Sequence, residues 1–116
     1  MSTNEQGWIG VDLDGTLAEY DGWVSATHIG FPVDKMLARV KNWLVVGQRV
    51  KIFTARVSSS QEQPELARHA IQNWCRVYLG QELEVTAEKD IYCIQIWDDR
   101  AIQIEKNTGR RMDGEL

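Results

Sequence analysis

Apolar residues along the chain fall into runs that alternate between two periods. Residues 9–11, framed by Trp8 and Leu13, form a short apolar run that stops at an acidic, glycine-containing turn, as a buried strand does. Val33, Met36, Leu37, Val40, Trp43 and Leu44 then recur at helical spacing, and Gly47 follows as a C-terminal cap. Residues 50–53 read as a second strand ending at Thr54-Ala55-Arg56. After a serine turn, Pro64 stands where a helix's first turn tolerates a missing N–H. Leu66, Ala70, Ile71, Trp74, Val77 and Tyr78 keep one face of this second helix apolar until Gly80. Leu83 and Val85 alternate with Glu82 and Glu84 as a short strand with one wet face. Residues 91–97 are apolar except Gln95 and end abruptly at Asp98-Asp99-Arg100, which reads as a fourth strand buried on both sides.

Strand, helix, strand, helix, strand, strand predicts an α/β fold, a three-layer Rossmann-like domain on a parallel sheet of about four strands with right-handed crossovers. Residues 15–32 make a loop longer than compact domains usually carry, and such loops tend to be lids or binding loops. Its Tyr20, Trp23, His28 and Phe31 are too aromatic for a linker. The polar tail, residues 106–116, fits either an added edge strand or a frayed end.

A chain of 116 residues has room for one domain, spanning 1–116, and 43% hydrophobic with 26% charged residues is the mix of a globular protein. No apolar run reaches the roughly 20 residues that span a bilayer, and the polar start lacks an export signal, so a soluble protein without a membrane role is expected. Two cysteines, Cys75 and Cys93, are too few for a disulfide scaffold or a zinc site; reduced, buried thiols and a cytoplasmic location follow. Thirteen basic against 17 acidic residues leave a charge of -4, which argues against general duplex binding.

Two acidic clusters change this picture: Asp12-Leu13-Asp14 after the first strand and Asp98-Asp99 after the fourth. Ligands of open parallel sheets bind outside the carboxyl ends of strands, where the strand order reverses. If the first and fourth strands flank that point, four carboxylates converge, and their repulsion calls for a hard cation such as Mg2+. Gly15 and Thr16 turn the chain at once, so Asp12 and Asp14 approach one centre from different sides. One can attack as a nucleophile while the other handles protons, the division of labour of acyl-phosphate formation. Each cluster capping a following turn is the plainer alternative.

Asp12-Leu13-Asp14-Gly15-Thr16 resembles the first motif of the haloacid dehalogenase superfamily, most of whose members are phosphatases. Its other motifs have counterparts in order: Thr54 at the end of the second strand, Lys89 upstream of the fourth, and Asp98-Asp99 at its end. Thr-x-Arg and Asp-Asp-Arg are similar to the 3'-phosphatase domain of bacteriophage polynucleotide kinase. The resemblance implies Asp12 as the nucleophile that becomes an aspartyl-phosphate and Asp14 as general acid, then base, with its backbone carbonyl on the metal. It further implies Thr54 as donor to a phosphoryl oxygen and Lys89 as the cation between nucleophile and phosphate. Mg2+ would be held by Asp12, Asp14 and Asp99, with Asp98 joining directly or through water. Arg56 is expected to reach the phosphate bidentately, Thr16 and Trp23 to contact substrate, and Arg100 to pair with a neighbouring carboxylate. His69 reads as surface.

Neither the 15–32 loop nor the interval between the second and fourth strands can hold a cap domain, so the resemblance implies a capless member. Its specificity would come from the loop, from a second subunit of a homo-oligomer, or from a large substrate. The expected partner is a phosphorylated small molecule or a nucleic-acid 3'-phosphate end. The rival function is a non-catalytic Mg2+/phosphate-binding regulatory module of receiver type. Setting the four site aspartates aside leaves acids and bases in balance, so the whole net charge can be assigned to the site.

Overall fold

The computed structural model describes residues 7–114, so the polar start and the last two residues of the tail lie outside the described residues. Its elements are β1 (Trp8–Val11), α1 (Asp34–Val45), β2 (Arg49–Phe53), a 3-10 turn (Ala55–Val57), α2 (Pro64–Leu79), β3 (Glu84–Thr86) and β4 (Cys93–Trp97). The four strands form one parallel sheet in the order β3-β2-β1-β4. The chain therefore steps outward from β1 through β2 to β3, then returns to the opposite side of β1. The reversal falls between β1 and β4, with Val11 paired to Trp97.

Both helices lie on one face. They touch each other, and Met36 and Val40 of α1 share a core with Ala67, Ile71 and Trp74 of α2 and with Ile9, Val11, Val50, Ile52 and Val85 of the sheet. Strand residues alternate between faces, so the intervening Trp8, Lys51 and Phe53 turn the other way. Trp8 is fully buried there without a helix above it. Phe53 meets its ring edge-on at 6.4 Å, the Lys51 ammonium sits 4.5 Å from its centroid, and its indole N–H donates to Asp90 at 2.9 Å. The covering layer on this face is the connection 87–92, tied down where Trp8 N–H donates to the Tyr92 carbonyl. The α/β sheet agrees with the sequence pattern, whereas among the described residues the expected third layer is a crossover rather than helices.

That asymmetry corrects the reading of β4. Ile94 is 57% and Ile96 39% exposed, because β4 is an edge strand with an uncovered outer face. On the helix side, Trp97 packs on Trp43 at 5.2 Å. An apolar run cannot by itself tell a strand buried on both faces from one left open. In α2 the buried stripe is Ala67, Ile71, Trp74 and Cys75, while Leu66 and Val77 face out. Gly80 closes α2 at φ 79°, the left-handed cap its identity suggested. Cys75 is buried, which pushes its thiol up to about 11, and Cys93 is half-buried; both are free. The tail folds back on itself through a bridge between Ile104 and Arg111. Among the described residues no helix is long and apolar enough to cross a membrane.

A one-sided core makes a prediction. Ile52→Ala, at a fully buried position of β2, should cost about 2–5 kcal/mol of unfolding free energy in urea titration. Ile94→Ala on the open face of β4 should stay within about 0.5 kcal/mol. Equal costs would show that the second face is covered.

Candidate active site

The first acidic cluster is built by the end of β1. Asp12 N–H donates to the Trp97 carbonyl at 2.9 Å, the last bond of the β1–β4 ladder, and the chain then leaves the sheet. Leu13 is fully buried and holds the turn down, with Leu17 and Ala18 N–H both donating to its carbonyl. Gly15 closes the turn at φ +87°, and a Cβ there would lie 2.8 Å from Asp99 Oδ2. The left-handed φ is what calls for glycine here.

Asp12, Asp98 and Asp99 converge. Each offers a carboxylate oxygen, and these oxygens lie within 4.8 Å of one another. Thr16 clips the clusters together: its hydroxyl lies 3.3 Å from Asp12 Oδ2 and 3.1 Å from Asp99 Oδ1, and it accepts from Asp99 N–H at 2.9 Å. Burial first, then the charges of Asp98 and Asp99, push the Asp12 carboxyl up to about 7 against a weaker lowering pull from Thr16.

Asp14 points elsewhere. The Arg56 guanidinium grips it bidentately, Nε to Oδ2 at 2.8 Å and Nη2 to Oδ1 at 2.9 Å, while Nη1 donates to the carbonyls of Ser25 and Ala26 at 3.3 and 3.4 Å. Trp23 lies over the guanidinium at 4.9 Å, and Arg56 is only 6% exposed. Arg56 therefore joins the end of β2, the first acidic turn and the long loop. That loop is pinched at its base, where a Cβ on Gly30 would lie 2.1 Å from the Glu19 carbonyl oxygen; Trp74 holds Gly30 O at 3.0 Å. Thr54, 4% exposed, caps the 3-10 turn by accepting from Arg56 N–H at 3.2 Å, which leaves its hydroxyl proton for another acceptor.

These groups border an open recess of about 770 Å³ lined by Asp12, Asp14, Thr54, Arg56, Asp98 and Asp99, with Tyr20, Trp23 and Arg100 on its walls. The structure thus brings Asp12, Asp14, Thr54, Arg56, Trp23, Asp98 and Asp99 together. It does not bring Lys89 to that wall: Lys89 is exposed on the 87–92 connection and lines a neighbouring recess with Cys93, Ile94, Ile96 and Asp98, the last of which borders both. The physical reason is the crossover: residues 87–92 run back across the sheet face toward the start of β1, away from the strand ends. Arg56 is engaged by Asp14 rather than left to reach a phosphate, and Thr16 stands behind the carboxylates, 9% exposed, rather than on the recess wall. The Asp14 carboxylate is outside the converging trio. Arg100, expected to pair with a carboxylate, makes no ion pair among the described residues. Tyr20 and Arg100, which the sequence offered in other roles, also line the walls, with Ser58 and Gln61, which it did not single out; the adjacency of Arg100 to Asp98-Asp99 was the available signal. His69 is exposed, as expected.

Three carboxylates at this spacing, two of them partly buried, form an oxygen-only donor set suited to a hard divalent cation. The residues fit Mg2+, with Asp12, Asp98 and Asp99 as the side chains that would hold it.

No family model matches the chain, and no curated protein matches it. Among solved structures, a conserved protein from Bacteroides thetaiotaomicron is similar, with a TM-score of 0.58 and 22% identity over 84% of this chain and 78% of that one. The likeness supports the fold.

The raised Asp12 carboxyl sets the sign of a pH dependence. Its folded-state value near 7 lies above the ordinary 3.8, so the fold holds a proton that the unfolded chain releases, and stability from this group is lost as pH rises through that window. In chelator, Asp12→Asn should overtake the wild type in melting temperature between about pH 4 and pH 7. A gap independent of pH would refute the raised Asp12 carboxyl that burial and its acidic neighbours produce.

Proposed function

We propose that the protein is a Mg2+-dependent phosphomonoester hydrolase acting through an aspartyl-phosphate on Asp12. The observation that carries this reading is the separation of two carboxylates two residues apart. Asp12 sits in the acidic trio, and Asp14 is held to its side by a buried arginine. A cation bound by Asp12, Asp98 and Asp99 would offset their mutual repulsion, keep Asp12 ionised near neutral pH and draw charge from the phosphoryl group.

In this mechanism an Asp12 carboxylate oxygen attacks phosphorus and the bond to the ester oxygen breaks. Asp14 is the group that passes a proton to the leaving oxygen. Asp14, now a carboxylate, takes a proton from water, whose oxygen attacks phosphorus; the acyl-phosphate bond breaks, inorganic phosphate leaves and Asp12 is restored. Arg56 keeps Asp14 on the leaving-group side, and the Thr54 hydroxyl proton is available to a phosphoryl oxygen. The recess is open, and among the described residues no cap covers it, which favours a substrate that brings its own bulk, such as a nucleic-acid 3'-phosphate end, over a small metabolite. Exposed Trp23 and Tyr20 offer faces for an aromatic group beside the phosphate. A cytoplasmic setting agrees with the two free thiols.

The test is release of inorganic phosphate from 4-nitrophenyl phosphate. Asp12→Asn should lower kcat by on the order of 10³-fold or more with the circular dichroism spectrum unchanged. Full activity in that variant would exclude the mechanism, and a receiver-type module would show no release from the wild type. Chelator should abolish turnover and added Mg2+ restore it; turnover indifferent to chelator would remove the role of the acidic trio.

A further inference from the structure

We infer that Arg100 is the residue that anchors the substrate's terminal phosphate, and that it selects a dianionic monoester over a diester; the inference rests on the hydrolase reading for the identity of the substrate. A phosphate dianion entering a recess rimmed by aspartates needs a cation of the protein as partner, and the described residues leave one candidate. Lys89 does not line this recess but a neighbouring one that shares only Asp98 with it. The Arg56 guanidinium has four of its five N–H donors directed at Asp14 and at the carbonyls of Ser25 and Ala26, under the ring of Trp23. Turning it toward a phosphate would leave a largely buried carboxylate-arginine pair broken, a costly exchange.

Arg100 differs on each count. It is exposed, lines the recess, and has neither an ion pair nor a side-chain hydrogen bond among the described residues. Its backbone is nevertheless fixed: Arg100 N–H donates to Asp98 Oδ1 at 2.8 Å, and the preceding Asp99 N–H donates to Thr16 at 2.9 Å. The guanidinium is thus tethered to the element that carries Asp98 and Asp99 while its donors stay available. Its planar fork matches two oxygens of a terminal phosphate. A diester offers one negative charge and fewer free oxygens, so the same fork gains less from it.

The experiment measures binding and turnover separately. Wild type, Arg100→Ala, Arg100→Lys and Arg56→Ala are titrated with inorganic phosphate in Mg2+ by calorimetry, and KM and kcat are measured on 4-nitrophenyl phosphate. Arg100→Ala should weaken inorganic phosphate about 10- to 100-fold and raise KM, with an unchanged melting temperature, while Arg100→Lys recovers part of the loss. The variant should also narrow the margin by which methyl phosphate outcompetes dimethyl phosphate. Arg56→Ala should instead lower kcat while leaving KM and phosphate affinity near the wild type, as expected of a residue that positions Asp14. Wild-type phosphate affinity in Arg100→Ala, or no phosphate binding by the wild type, overturns the inference even if turnover is normal. A wild type that binds phosphate but releases none from any ester removes the hydrolase reading, and the Arg100 effect on phosphate affinity still decides the anchor.

Discussion

One backbone hydrogen bond, from Asp12 N to Trp97 O, decides where the chemistry of this chain is placed. It ends the parallel pairing of β1 with β4, and each strand leaves it on an aspartate. Like charges this close repel, and burial of Asp12 adds to the cost, which is why its carboxyl is raised. Everything around the junction limits that cost. The Thr16 hydroxyl bridges the two clusters, Gly15 leaves space for Asp99, and Asp14 is drawn off to Arg56 instead of joining the crowd.

The same economy explains the long loop. Residues 15–32 do not hang free of the domain: Leu17 and Ala18 are in the core, Gly30 presses against the Glu19 carbonyl, and Arg56 reaches into the loop for the Ser25 and Ala26 carbonyls. A single guanidinium therefore sets the position of the proposed proton donor and the wall that carries Trp23. Loop placement and acid-base geometry are mechanically one variable.

Much of this was legible in the sequence. The strand-helix alternation, the turn at Gly15, the proline start and glycine end of α2, and the meeting of Asp12 with Asp98 and Asp99 all follow from local pattern plus the switch-point rule. Three things were not. Whether the outer face of β4 was covered depended on a second helical layer, which is absent among the described residues, and Cys-Ile-Gln-Ile-Trp reads alike in either case. The direction of the 87–92 crossover, which carries Lys89 away from the strand ends, is set by Trp8, Lys51 and Asp90 packing on the helix-free face, a contact between segments about 40 or more positions apart. The partner of Arg56 turned on a choice between two anions, a phosphate or Asp14. Nothing in Thr-Ala-Arg encodes which one the folded chain presents.

The distance along the chain between β1 and β4 also bears on the acidic centre. Trp8 pairs with Cys93, so this ladder closes the longest chain loop in the sheet, longer than those of the β1–β2 and β2–β3 ladders. The three carboxylates meet only across that loop, and a chain in which β1 and β4 are unpaired carries no assembled acidic centre.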